Sequence, residues 1–119
     1  MSGIKTSKEG ESLDQAFNGR HEVMSKLIGK KDNRSSWWSI EDLENYIACA
    51  KAQAKELGYT LNGIRAYEGA EGDKGYTTIF LAPTGNSNTE RTAGNGDIPG
   101  GDILNAGLGG NPPSANYPQ

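Results

Sequence analysis

Residues 37–58 read WWSIEDLENYIACAKAQAKELG, and this stretch spells out a helix together with both of its ends. Ser39 is the expected N-cap, because its hydroxyl can accept from a free backbone N–H of the first turn. Asp42, three residues on, is the shorter form of a capping-box partner. Trp38 before the cap and Leu43 at the fourth helical position have the spacing of a hydrophobic staple. Glu41, Asp42 and Glu44 lie at the positive end of the helix dipole, and Lys51 and Lys55 near its negative end. Apolar residues recur at Ile40, Leu43, Ile47, Ala50, Ala54 and Leu57, in steps that wind one buried stripe along the helix. Gly58 supplies the stop, since it can take the left-handed conformation at no steric cost.

Upstream, Ser12 and Gln15 have capping-box spacing. Leu13, Ala16, Phe17, Met24, Leu27 and Ile28 follow at helical intervals as far as Gly29. A first helix is therefore expected from Ser12, with residues 1–11 as a flexible lead-in. Lys30 to Ser36 reads as a polar, solvated connector. Downstream of Gly58 the period changes to that of strands. One strand centres on Ile64-Arg65-Ala66-Tyr67 and a second runs from Tyr76 to Ala82, joined by the hairpin loop Gly69 to Gly75. Both faces of the second strand carry apolar groups, which predicts cover on both sides. Pro83 is expected to end it.

From residue 84 to 119 the composition shifts to Gly, Asn, Pro, Ser and Thr. Residues 84–96 read as a mobile loop, and residues 97–108 as a short strand or irregular packed chain. Asn111-Pro112-Pro113 opens an extended tail. The expected fold is α+β: two helices packed on a small antiparallel sheet, followed by a Gly/Asn/Pro-rich C-terminal arm. Its domains are a flexible N-terminus (1–11), a core (12–83) and the arm (84–119). A two-stranded sheet is marginal alone, and its second strand presents an edge. Either the C-terminal segment covers that edge or another chain does.

The chain has 17 glycines and only 34% hydrophobic residues among its 119, so the core must be small. A net charge of −3, with dispersed Lys and Arg, lacks the basic patch of a nucleic-acid partner. No apolar run approaches the roughly 18 residues of a membrane span, and residues 1–11 carry no apolar signal region. Cytoplasmic location is the resulting expectation.

The single cysteine, Cys49, has helix neighbours Asn45, Ala52 and Gln53, none of which can activate a thiolate. The single histidine, His21, lies off the apolar stripe of the first helix and is expected to face solvent, where nothing orients it as a base. No catalytic residues are assigned. Asp97 and Asp102 flank a Gly-rich turn, but two carboxylates fall short of a calcium site, and one His with one Cys cannot make a zinc site. No metal or other cofactor is assigned. The glycine-rich loops lack the strand–turn–helix setting of a phosphate loop.

What remains is surface. Arg65 and Tyr67 share one face of the first strand, with Tyr76, Thr78 and Phe80 expected opposite them. Arg and aromatic residues are the types enriched in binding hot spots. The structural alternative is that Tyr67 and Phe80 are core and Arg65 reaches past them to a carboxylate. Trp37 is a further candidate, because Trp38 already fills the staple position. Three segments, Trp38 to Ile47, Asn62-Gly63-Ile64-Arg65-Ala66-Tyr67 and Gly75 to Thr84, together with Leu104-Asn105 and Asn111-Pro112-Pro113, resemble uncharacterised small proteins of flavobacteria and their relatives. The resemblance implies a small bacterial protein and carries no activity.

The leading expectation is a non-enzymatic protein that associates with itself or with a protein partner, with Trp37, Arg65, Tyr67, Tyr76 and Phe80 as binding residues. One alternative is a small ligand-binding or enzymatic domain centred on Arg65 and Tyr67, with Glu68 or Asp73 as acid or base. Another is an immunity or inhibitor protein.

Overall fold

The structure, a computed structural model, describes residues 2–89, 94–105, 108–109 and 114–119. Its elements are α1 (Ser7–Ile28), β1 (Ser36–Trp37), α2 (Ile40–Glu56), β2 (Tyr59–Ala70), β3 (Thr77–Ser87) and β4 (Leu108–Gly109). β2 and β3 form an antiparallel hairpin and β1 pairs with β4, so the fold is α+β. The chain divides into two compact units, each gathered from separate segments. The α1 unit comprises Met1–Ser36, Ala70–Thr78 and Gly109–Gln119, and the α2 unit comprises Trp37–Gly69 and Ile79–Leu108. This interleaving replaces the linear order of lead-in, core and arm.

In the α2 unit the helix begins as the sequence predicts. Ser39 Oγ accepts from the Asp42 N–H at 2.9 Å. The Leu57 and Gly58 N–H groups close the last turn onto the Gln53 and Lys55 carbonyls, and Gly58 takes φ +82°. The inward face differs from the all-apolar stripe. It consists of Leu43, Tyr46, Ala50, Gln53 and Ala54, while Ile40, Ile47 and Leu57 are exposed. Ala50 and Ala54 are buried, and Tyr46 and Gln53 face inward because their polar ends find partners. The Tyr46 hydroxyl lies 3.2 Å from the Leu81 carbonyl and 2.9 Å from that of Asp102. Gln53 Oε1 accepts from the Asp102 N–H at 2.8 Å. The Tyr46 phenol is pushed up from its ordinary value of 10.0, first by burial and then by the Asp102 carboxylate.

β3 runs through Pro83 to Ser87, and every residue in it is buried or half-buried. Pro83 does not end the strand, for a directional reason. The Leu81 N–H and C=O bond to Leu104, the Pro83 C=O accepts from Ile98, and the Gly85 N–H donates to Gly96. The odd-numbered residues thus turn their backbone groups towards residues 96–104. The N–H that proline lacks would have pointed there too, so no bond to β2 is lost. Residues 84–87, expected to be loop, are strand, while residues 90–93 lie outside the described residues.

The edge of β3 is covered from within the chain, by antiparallel bridges Leu81–Leu104 and Thr84–Asp97. Between them the chain turns at Ile98-Pro99-Gly100-Gly101, with Gly101 N–H bonded to Ile98 C=O and Gly100 at φ +79°. Proline second and a positive-φ glycine third are the demands of a type II turn. The turn leaves Ile98 4% exposed, alongside buried Ala82 and Thr84.

In the α1 unit the helix opens earlier than Ser12. Thr6 is the N-cap, its hydroxyl accepting from Glu9 N–H at 3.1 Å, so residues 7–11 are helical rather than a flexible lead-in. Ser12 lies inside the helix and donates back to the Lys8 carbonyl, a bond a mid-helix serine can always make. The inward face carries Asp14, Phe17, His21, Met24, Ser25 and Ile28, while Leu13, Ala16 and Leu27 point outward.

His21 is therefore buried, contrary to expectation, at 8% exposure. The reason is the connector, which is polar core and not solvated loop. Asp32 is 1% exposed. Its carboxylate accepts from the Asn33 N–H at 2.9 Å, the Thr77 N–H at 2.8 Å and the Thr77 hydroxyl at 2.5 Å. Its backbone N–H donates to Ser25 Oγ at 2.9 Å, and its carbonyl accepts from His21 Nε2 at 2.7 Å. Arg34, with its side chain 3% exposed, pairs with Asp14 at 3.0 Å and lies over the Phe17 ring.

The end of the chain also anchors in the α1 unit. The Asn116 amide and the Tyr117 N–H both donate to Asp14 Oδ2 at 3.1 Å, and the Tyr117 and Ser7 hydroxyls are 2.8 Å apart. Gly10 admits the Tyr117 ring, which a Cβ there would meet at 3.2 Å. Residues 111–113 of the expected extended tail lie outside the described residues. Among the described residues no helix is long and apolar enough to cross a membrane.

Candidate functional site

The strand face singled out by the sequence is assembled in the α2 unit. Along β2 the odd-numbered residues from Tyr59 to Gly69 are all half-buried, whereas most of the even-numbered ones are exposed. Arg65 and Tyr67 therefore stand on the more covered face, as strand alternation requires. Tyr67 stacks on Phe80 of β3, with ring centroids 5.3 Å apart and an interplanar angle of 16°. Such a pair adds about 0.5–1.5 kcal/mol beyond its buried area.

The polar ends of this cluster converge on Asp97. Arg65 Nη1 lies 2.9 Å from Asp97 Oδ1, and Arg65 Nη2 donates to the Asn95 carbonyl at 2.7 Å. The Tyr67 hydroxyl donates to Asp97 Oδ2. The guanidinium is held above its ordinary value chiefly by the Tyr67 hydroxyl, with desolvation opposing and Asp97 adding to the rise. Arg65 and Asp97 are about two-fifths exposed, so solvent screens the pair and it fixes geometry more than it adds stability.

Beside this cluster lies a shallow, open depression of about 460 Å³, lined by Asn62, Gly63, Ile64, Arg65, Thr84 and Asn95. Its polar groups are also engaged with one another. Thr84 Oγ1 donates to Asn62 Oδ1 at 2.8 Å, and Asn62 Nδ2 donates to the Gly94 carbonyl at 2.7 Å. Gly63 is needed for this approach, since a Cβ would stand 3.1 Å from Thr84 Oγ1. Chemically, the face offers a fixed arginine–tyrosine–aspartate triangle whose hydrogen bonds are directed inward. Glu68 and Asp73, the expected acid or base, are both exposed.

The structure thus brings Arg65, Tyr67 and Phe80 together and leaves two of the five candidates elsewhere. Tyr76 precedes β3 and belongs to the α1 unit, where the Lys30 ammonium sits 4.2 Å from its ring centroid. It does not face Arg65 across the hairpin as expected. Trp37, on β1, is 54% exposed and lines neither the Arg65 cluster nor its depression. Sequence reasoning treated Asp97 as a turn residue and missed it as the acceptor for both Arg65 and Tyr67. The signal available was an arginine beside a tyrosine on a half-buried face, which requires an anion. The partner, however, lies 32 positions away. Cys49 is exposed and free, and among the described residues no three His, Cys, Asp or Glu side chains converge on a metal-sized site.

Comparison with protein-family models, with curated proteins and with solved structures returned no match.

Proposed function

We propose that the protein is a non-enzymatic interaction protein that self-associates through the outward face of α1. The observation that carries this reading is the exposure of Leu13, Val23 and Leu27, at 64%, 67% and 63%, on one face of a helix of 22 residues. With Ala16 and Arg20 they form an exposed stripe at helical spacing. Soluble chains rarely leave a contiguous apolar stripe uncovered, and such stripes mark helix-to-helix contacts.

A second copy is the occupant that the charges favour. The early turns carry Lys8, Glu9 and half-buried Glu11, a net acid, and the later turns Arg20, Glu22 and Lys26, a net base. An antiparallel pair sets acids against bases and opposes the two helix dipoles. A twofold contact needs such a self-complementary patch. The hollow lined by Gly19, Arg20, Val23 and Met24, about 390 Å³, lies on this side of the helix and offers a seat for an apolar side chain of the other copy.

The competing reading, a ligand site at Arg65 and Tyr67, draws on the depression beside Arg65. It has weaker support, because the polar groups there are already bonded to each other. Sedimentation velocity over a concentration series tests the proposal. A dimer is expected that Leu13→Glu with Val23→Glu converts to monomer while the helical circular dichroism is retained. A strict monomer at every concentration would overturn self-association.

A further inference from the structure

The α2 unit holds another depression, of about 410 Å³, lined by Lys51, Lys55, Tyr59, Thr60, Leu61 and Asn88. Its volume lies within the range of small-ligand pockets. Lys51 and Lys55 are one helical turn apart on the closing turns of α2, so their ammonium groups share a face. They lie at the negative end of the helix dipole, but no acidic side chain stands three or four positions from either of them. The residues three and four positions away from Lys51 are Ile47, Ala48, Ala54 and Lys55, and those around Lys55 are Lys51, Ala52, Gly58 and Tyr59. Among the described residues the ion pairs are Lys5–Glu9, Lys26–Glu22, Arg34–Asp14 and Arg65–Asp97, and neither lysine takes part. Among its described residues, a chain of net charge −3 therefore places two unpaired cations on one cavity with no acid in its lining.

The remaining groups reinforce that bias. The Asn88 N–H bonds to the Gly58 carbonyl at 2.8 Å, which fixes residue 88 against the α2–β2 joint. Asn88 Oδ1 accepts from the Thr60 hydroxyl at 2.7 Å. Its acceptor side is thereby engaged, leaving the amide N–H groups as donors. Tyr59 contributes a hydroxyl and a half-buried ring, and Leu61 a half-buried aliphatic surface. Cationic and amide donors beside an apolar wall suit an oxyanion attached to an apolar body.

We propose that this cleft binds a small organic oxyanion, a phosphate or carboxylate carried on an aromatic or aliphatic group. Its lining residues all belong to the α2 unit, and the proposal does not rest on self-association through α1. Two-dimensional amide NMR of the full chain, titrated separately with phenyl phosphate, benzoate, phenol and inorganic phosphate, tests it. Phenyl phosphate or benzoate should give saturable shifts centred on Lys51, Lys55, Tyr59, Thr60, Leu61 and Asn88, with the tighter of the two identifying the head group. Lys51→Gln and Lys55→Gln should each weaken binding about tenfold, the loss expected for one charge-assisted bond. Lys31→Gln, at an exposed position of the α1 unit, should leave it unchanged. Absence of saturable shifts would overturn the proposal, as would equal binding by all three variants. Inorganic phosphate or phenol binding as tightly as phenyl phosphate would overturn the pairing of anion with apolar body.

Discussion

In the α1 unit the largest fully buried side chain is the Asp32 carboxylate, bonded by Asn33 and Thr77, while His21 and Ser25 hold the Asp32 backbone. In the α2 unit the buried side chains include Ala50, Ala54, Ala82 and Ile98. One unit is organised around a hydrogen-bonded acid and the other around small apolar contacts. The difference concerns specificity as much as stability. Apolar contacts tolerate small shifts, whereas a buried carboxylate is tolerated only where every donor is in place. The polar unit is therefore the more exacting of the two, and the more fragile to loss of a single group.

The largest expected effect tests that statement directly. Asp32→Ala leaves the Asn33 and Thr77 N–H groups buried without an acceptor and should cost about 3–5 kcal/mol in urea unfolding. Asp32→Asn keeps one acceptor oxygen and should cost clearly less. By hydrogen exchange, the loss of protection should concentrate in the α1 unit, around His21, Asn33 and Thr77. Next comes the apolar unit. Ile98→Ala should cost about 2–4 kcal/mol through lost burial and a residual cavity, with protection lost first along the β3 edge at Leu81 and Leu104. If both substitutions weakened protection evenly over the whole chain, the contrast between the units would fail.

The smallest effect refines the comparison, because the apolar unit has a polar clasp of its own. Tyr46→Phe removes the hydroxyl shared by the Leu81 and Asp102 carbonyls and should cost about 1 kcal/mol near neutral pH. The phenol is pushed up in the folded state, so the folded chain keeps this proton to higher pH than the unfolded one. Its contribution is present below pH 10 and is lost as pH rises through the folded value. The urea midpoints of wild type and Tyr46→Phe, measured from pH 8 to 11, should therefore converge as pH rises. A constant gap would show that the clasp acts by packing alone.

The readable parts of the fold were those whose causes are local. Ser39, the Asp42 N–H and Gly58 write the ends of α2 within a few residues, and the two-sided apolar pattern of β3 announces its cover. Local signals misled where a distant partner decided the outcome. Ser12 has the chemistry of a cap, but Thr6 holds the position, and the helix continues through Ser12 because its hydroxyl can bond back to Lys8. Pro83 looks like a terminator until residues 96–104 show that its missing N–H faces away from β2. His21 and Asp32 read as solvent residues because hydrophobic periodicity cannot register a buried site built from hydrogen bonds. The candidate site divides in the same way. Alternation placed Arg65 beside Tyr67, and the hairpin brought Phe80 to them, but Asp97 arrives from a separate segment and Tyr76 belongs to the other unit.

By itself the sequence determined the α+β class, the ends of α2, the hairpin and the face shared by Arg65 and Tyr67. Each follows from backbone sterics and side-chain periodicity over a few residues. Only the tertiary structure decided which polar groups were buried, how the β3 edge was covered, which face of α1 stayed exposed and where Lys51 and Lys55 met Asn88. Those outcomes depend on partners far apart in the chain, and a buried polar group leaves no periodic trace because its stability lies in the geometry of its partners.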